Sequence, residues 1–327
     1  MTDPARPIAA LTLAGGWCWF DRVEVLERGR AAVVVPVGDL PAEVTARLTA
    51  PRSFAGLSMN QPRIMGILNV TPDSFSDGGL FLRPEAALMQ ARQMAGGADI
   101  LDIGGESTRP GAMEVPLDEE IARTAPVIEA LRNGGLDRAI SIDTRKTGVA
   151  QAALAAGAGI VNDVSAMGFD AGMAGMVAGA FARIILMHAQ GDPATMQADP
   201  QYEDVLLDVF DFLAARVAVA EAAGIPRSHI AVDPGIGFGK TLQHNLTLLN
   251  RLSLFHDLGL PVLLGASRKR FIGTIGAEAE AARRMPGSLA VALAGVAHGM
   301  QMIRVHDVAE TRQALSLWQA VTGGQTV

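Results

Sequence analysis

Residues able to do chemistry recur in this chain directly after short apolar runs. IMGIL (64–68) opens into NVTPDSFSDGG, which holds Asn69, Thr71, Pro72, Asp73, Ser74, Ser76 and Asp77. DILDIGG leads to Glu106, Ser107, Thr108 and Arg109. AISID ends at Asp143, GIVND at Asn162 and Asp163, and IAVD at Asp233, with Lys240 further on. RIILM ends at Met187 and is followed by His188; PVLLGA is followed by Ser267, Arg268 and Lys269; QMIRVHD carries Arg304 and His306. A carboxylate at the end of a buried run needs a partner, because burying it alone is costly.

Asp143, Asn162, Asp233 and Lys269 suit a flat heterocycle with adjacent ring N–H and amino groups. The carboxylates would accept from it, Asn162 would both donate and accept, and Lys269 would donate to a ring carbonyl. The plainer alternative is that these groups pair with one another. Arg304 and His306 alternate with Val305, so both face one way from an extended strand. Together they suit an anionic group, the guanidinium offering a fork to phosphate oxygens. A surface ion pair is the plainer reading of these two. Mg2+ beside a pyrophosphate would fit Asn69 and the loop hydroxyls, since this ion takes few protein ligands and several from phosphate and water.

DPGIGFGKT (233–241) invites two readings that fail on spacing. Between Gly235 and the Gly-Lys-Thr there are too few residues for a phosphate-binding P-loop, and the third glycine falls too early for a dinucleotide fingerprint. The glycines instead permit close backbone approach to a flat ligand, with Phe238 as an apolar wall. Ser267-Arg268-Lys269 precedes a short helical stretch, RFIGTIG, whose first N–H groups would favour a carboxylate. His188 could line the pocket. Zinc-protease, CxxC and serine-hydrolase motifs are absent from the sequence.

Eight apolar runs alternate with helical patterns: 84–95 with proline in its first turn, then 117–132, 147–156, 173–179, 203–223, 242–252, 288–299 and 308–321. Such alternation predicts parallel strands with right-handed crossovers. The runs are continuously apolar, as when both strand faces are covered. Eight units over roughly 260 residues match a (β/α)8 TIM barrel, which gathers chemistry at the C-terminal ends of its strands. The rival, an open doubly wound sheet, usually has fewer strands and one dominant glycine-rich turn. Residues 1–62 break the pattern and read as an N-terminal extension packed on a 63–327 catalytic domain. They predict a hairpin around Arg28-Gly29-Arg30, a short helix over 41–48 and a linker over 50–61.

Composition narrows the classes. Of 327 residues, 49% are hydrophobic, enough for a large core. Net charge is −7, which argues against a general nucleic-acid surface. No long apolar run suggests a membrane span, and the N-terminus does not read as a signal peptide. The single Cys18 rules out an internal disulfide and suits a reducing, cytoplasmic setting.

NVTPDSFSDGG, DIGGESTRPGA, SIDTRK, VNDVSAM, DPGIGFGKT, GASRKRFIG and IRVHDVAET, in this order over about 64–315, together resemble the dihydropteroate synthase family. The resemblance implies a TIM barrel, usually homodimeric, that joins 6-hydroxymethyl-7,8-dihydropterin diphosphate to 4-aminobenzoate with release of pyrophosphate. It implies Mg2+, and sulfonamides as competitors. Carried over, Asp143, Asn162, Asp163, Met187, Asp233, Phe238 and Lys269 look like the pterin set. Asn69, Thr108, Arg304 and His306 look like the diphosphate set, with Asn69 toward the metal. Pro72, Thr108, Arg109, Ser267 and Arg268 look like the aminobenzoate end, and the loops holding Pro72, Asp73, Thr108 and Arg109 like the part that closes the site. Asp143, Lys269, Arg304 and His306 would be the catalytic group. Ala189 stands where many relatives carry a bulkier apolar residue, and residues 1–60 find no counterpart. The alternatives are a pterin-dependent methyltransferase and a catalytically inactive pterin-binding barrel. The first expels no diphosphate and would not need the Asn69 loop, Ser267 to Lys269 and the Arg304–His306 pair together.

Overall fold

The computed structural model describes residues 6–71, 84–107, 113–191 and 195–322. Among them, eight parallel strands form one sheet: β1 Arg63–Asn69, β2 Ile100–Gly104, β3 Ala139–Asp143, β4 Ile160–Asp163, β5 Arg183–Met187, β6 Ile230–Asp233, β7 Leu263–Leu264 and β8 Met302–Val305. The neighbour order is β6-β5-β4-β3-β2-β1-β8-β7. The last seam is joined by a parallel bridge between Val232 and Val262, so the sheet curls into a barrel. Around it run α1 Pro84–Ala95, α2 Leu117–Asn133, α3 Thr147–Ala155, α4 Met173–Gly179, α5 Val205–Ala222, α6 Leu242–Asn250, α7 Arg270–Ile275, α8 Met285–Ala297 and α9 Val308–Thr322.

Strand alternation sorts the side chains. Ile64, Leu68, Leu101, Ile103, Ile140, Ile142, Val161, Ile184, Leu186, Val232, Leu264 and Ile303 join one large cluster with helix residues such as Val127, Ile128, Val149 and Leu213. Met65, Ile100, Ile160, Ile185, Ala231, Leu263 and Met302 form a second cluster, the lowest layer of the barrel interior. Both faces are apolar at this level, which is why the strands read as unbroken apolar runs. Above the lowest layer the inward positions turn polar: Asp102 lies opposite Ser141, and Asn162 opposite Asp143.

The stretch 50–61 is not a linker. It forms a hairpin, Ser53–Phe54 against Leu57–Ser58, turning through Ala55 and Gly56 with φ of 51° and 77°. Positive φ at both central residues matches the twist of a two-residue hairpin. Its Phe54 and the following Met59 are fully buried and join the lowest barrel layer, stoppering the N-terminal mouth. The sequence hides this element because two-residue strands carry no periodicity.

The rest of the extension packs on the flank. The expected hairpin forms as Arg22–Val25 against Val33–Pro36, and the expected helix as Ala42–Thr49. Trp17 donates to the Val296 carbonyl at 2.8 Å, and Arg28 holds Asp208 and Asp211 on α5 at 2.6 and 2.5 Å. Arg47 holds Asp257 at 2.6 Å. Buried Arg52 donates to the Leu260 and His256 carbonyls at 2.6 and 2.8 Å and meets His256 Nδ1 at 2.9 Å. Burial pushes Arg52 down to about 10 and His256 down to about 3, which keeps the imidazole neutral.

Truncating Phe54 to Ala opens a cavity beneath the barrel, and urea unfolding should show a loss of about 3–5 kcal/mol. Ligand affinities at the opposite mouth should stay within twofold.

Candidate active site

The same alternation that makes the lower barrel oily brings Asp102, Asp143, Asn162, Met187, Asp233 and Arg304 onto one upper interior surface. Arg304 spans it. Its Nε donates to Asp102 Oδ2 at 2.6 Å and its Nη2 to Asp143 Oδ2 at 2.5 Å. Asn162 Nδ2 donates to the same Asp102 oxygen at 3.2 Å. The second oxygens, Asp102 Oδ1 and Asp143 Oδ1, are buried without a hydrogen-bond partner, as is Ser141 Oγ. Buried acceptors of this kind are rare and call for a ligand, a water or an ion. Burial pushes the Asp143 carboxyl up; Arg304 opposes this and the Asp102 charge reinforces it.

Two glycines sit against this surface. A Cβ on Gly265 would lie 3.4 Å from Asp233 Oδ2, and one on Gly104 would lie 3.4 Å from Asp143 Cβ and 3.9 Å from Asn69 Oδ1. Asn69, at the end of β1, thus overlooks the mouth. Burial also pushes Asp233 up, against the pull of Lys269, while its Oδ1 accepts from the Gly235 N–H at 2.7 Å.

The loop after β6 forms one wall. Phe238 stands 4.2 Å from Lys269 Nζ, which also donates to the Ile236 carbonyl. Burial pushes Lys269 down to about 7, against the attraction of Asp233. Behind the loop, buried Lys240 Nζ meets His188 Nδ1 at 2.8 Å and the Gly235 and Phe238 carbonyls at 2.9 and 3.0 Å. His188 does not line the mouth. It is buried edge-on against Phe212, 4.8 Å between ring centres.

On the side of β7 and β8, Ser267 Oγ meets His306 Nδ1 at 3.0 Å. Arg268, at φ 59°, turns its fork onto Asp307 with Nε to Oδ2 at 3.1 Å. On the side of β2 and β3, Lys146 Nζ joins Glu106 at 2.5 Å, Glu120 at 2.8 Å and the Val115 carbonyl at 2.5 Å. The Val115 N–H donates to Glu106 at 2.9 Å, so side chains grip both sides of one residue.

Asp163 does not join the set expected from the sequence. It follows inward-facing Asn162, so alternation turns it out of the barrel, where Ser165 N, Ser165 Oγ and Met167 N take both its oxygens at 2.8, 2.6 and 2.8 Å. Pro72, Thr108 and Arg109 lie outside the described residues. Sequence reading missed Asp102, although a charge inside DILDIGG, in phase with Gly104, was a readable signal. It also missed the shell formed by Lys240 and His188, whose contacts span 52 positions.

A family model described as pterin binding enzyme matches residues 65–306. The dihydropteroate synthase of Neisseria meningitidis serogroup C is 48% identical over 269 residues, covering 81% of this chain and 94% of the relative. This chain belongs to the dihydropteroate synthase family. It is therefore a transferase. The solved Xanthomonas albilineans dihydropteroate synthase with 4-aminobenzoic acid superposes at a TM-score of 0.77 with 46% identity, covering 83% of this chain and 97% of that one. The same organism's dihydropteroate synthase in complex with 7,8-dihydropteroate gives 0.73 with 44% identity, covering 81% and 95%.

Lys269 supplies a pH test. Its folded value lies below that of an exposed lysine, so from about pH 7 to 10.5 the unfolded chain binds more protons and stability rises with pH. Lys269→Met removes this term. Its melting temperature relative to wild type should fall as the pH rises from 7 toward 10, on top of a loss from leaving Asp233 without its partner.

Proposed function

We propose that this chain joins 6-hydroxymethyl-7,8-dihydropterin diphosphate to 4-aminobenzoate, giving 7,8-dihydropteroate and pyrophosphate, with the pterin ring seated on the polar upper layer of the barrel. The observation that carries this is the pair of partnerless buried carboxylate oxygens on Asp102 and Asp143, beside Asn162. A ring presenting adjacent N–H and amino donors satisfies such oxygens. Asp233 and Asn162 extend the hydrogen-bonding edge, Lys269 donates to the ring carbonyl, and Met187 and Phe238 supply apolar walls. The relatives crystallised with 4-aminobenzoic acid and with 7,8-dihydropteroate support this assignment of substrates.

The diphosphate extends toward Asn69, Arg304 and His306. Arg304 spends two donors on Asp102 and Asp143, and a guanidinium has five, so it can reach a phosphate oxygen without leaving the carboxylates. Among the described residues no cluster of three or more acidic, histidine or cysteine side chains could hold a metal. That fits Mg2+ held mainly by phosphate oxygens and water, with Asn69 Oδ1 as the protein donor. When bound, Mg2+ neutralises charge on the leaving group.

Departure of pyrophosphate breaks the bond between the pterin methylene carbon and oxygen, and leaves a cation delocalised into the ring. Asp143 and Asp233 face that charge as it develops, and a cation beside them draws both carboxyls toward the ionised form that stabilises it. The aryl amine then forms the new carbon–nitrogen bond and gives up a proton, with no protein nucleophile. Ser267 and Arg268, with Pro72, Thr108 and Arg109, complete the aminobenzoate end of this reading. The Ser267–His306 bond ties the two substrate ends together. A cytoplasmic homodimer completes it, Leu317 and Val321 being exposed one turn apart on α9.

The deciding test is pyrophosphate release by purified protein with the pterin diphosphate and Mg2+, with and without 4-aminobenzoate. Stoichiometric dihydropteroate, abolished by EDTA, supports the reading; pterin binding without release would mean an inactive pterin-binding barrel. A strong dependence of rate on the nucleophilicity of substituted anilines would count against early departure of the leaving group.

Arg304→Lys keeps a positive charge but cannot span two carboxylates and a phosphate. Calorimetry should show the diphosphate substrate weakened about 10- to 100-fold, the range of a charge-assisted hydrogen bond, and the unphosphorylated pterin weakened far less. Equal losses on both would remove the phosphate role.

A further inference from the structure

Lys240 lies outside the ligand-facing surface, is almost fully buried and has no part in the chemistry above. Its three contacts, His188 Nδ1 and the Gly235 and Phe238 carbonyls, surround Nζ, while burial pushes this lysine well below its usual range. Burial pushes His188 down to about 2, so the ring is neutral and its Nδ1 accepts, placing the ring proton on Nε2. The rest of the loop is pinned as thoroughly. Gly237 N–H donates to Asn245 Oδ1 at 2.6 Å, Gln197 donates to the Gly237 carbonyl at 2.5 Å, and Tyr202 donates to the Gly239 carbonyl at 2.7 Å. Gly235 and Gly239 have φ of +66° and +60°, and a Cβ there would fall 1.8 Å from the His188 carbonyl oxygen and 2.4 Å from that of Gln190. The loop is thus pressed against the backbone beyond β5, with no room for side chains.

Two lysines hold this loop from opposite sides. Lys269 grips the Ile236 carbonyl from the ligand side, and Lys240 grips the carbonyls of Gly235 and Phe238 from behind. On the functional reading above, on which this inference rests, Lys269 must turn toward the ring carbonyl when the pterin arrives and so gives up at least part of its grip on Ile236. Something else must then keep Phe238 and the Asp233–Gly235 turn in place. We infer that Lys240, seated on His188, is a positioning residue for the pterin: it keeps the loop 235–239 in its ring-binding shape while Lys269 changes partner.

The test is Lys240→Met, nearly isosteric but unable to donate. In a variant that melts cooperatively, calorimetry with unphosphorylated 6-hydroxymethylpterin should show at least tenfold weaker binding. The KM for the pterin diphosphate should rise in parallel, and the KM for 4-aminobenzoate should stay within twofold. A role in stability alone would lower the melting temperature and leave these constants of the folded protein unchanged. If Lys240→Met does not fold, Gln197→Leu removes a half-buried outer pin of the same loop and should weaken the pterin severalfold with the same selectivity for the pterin over aminobenzoate. Pterin binding within twofold of wild type in the folded variant overturns the inference alone. Wild-type protein that binds no pterin overturns the functional reading as well.

Discussion

The constraint on which the upper barrel depends is charge balance in a place that water barely reaches. Asp102, Asp143 and Asp233 face Arg304 and Lys269, while Lys240 pulls on Asp233 from behind the loop although burial pushes that lysine down. Any of these groups alone would be costly to bury, and removing one partner of a buried pair leaves an uncompensated charge. Arg304 is the hub because its planar fork alone can satisfy carboxylates on two adjacent strands, β2 and β3, from across β1. The strain shows in Asp143 and Lys269, each pushed by burial toward its neutral form although opposite charges lie close. A site so balanced is sensitive to charge brought by a ligand.

Much of the remaining architecture serves to keep that surface at one height. The lowest interior layer is apolar and is stoppered by Phe54 and Met59, so polar groups begin only one layer up. The helices seal the outside of the strands. The loop after β6, pinned by Lys240, Asn245, Gln197 and Tyr202, fixes a wall, and the grip of Glu106 and Lys146 on Val115 fixes the backbone on the opposite side. The extension before the hairpin packs on the flank and the underside, and through Arg28 it also reaches the first turn of α5.

How much could be read from sequence follows from which interactions are local. The strands were legible because each is an apolar run ending in a polar burst, and strand alternation is a local rule. That rule also separates Asn162 from Asp163, which the family resemblance alone groups together. Asp102 was overlooked for the opposite reason, being a polar residue inside a run that reads as apolar. Arg304 was visible as half of an alternating pair with His306. Its partners were not, because they lie 202 and 161 positions away and are reached only once the barrel closes. The same holds for His188, which looked like a pocket residue at the end of its strand and instead serves Lys240 from behind.

The partnerless oxygens of Asp102 and Asp143 carry the last step. Leaving a buried acceptor unsatisfied costs about 1–3 kcal/mol, more when it is charged. A barrel floor selected for stability alone would have given those oxygens a donor, as it gave Asp163 three. Here the donors of Arg304 and Asn162 all fall on the other oxygen of each carboxylate or, for Asn162, on Asp102 Oδ2 alone. Two acceptors on adjacent strands are left without a donor. The free energy withheld from folding becomes available to a ring carrying adjacent donors. A ring lacking them would leave the same oxygens desolvated and unpaired, so the floor discriminates against it as well as favouring the right one.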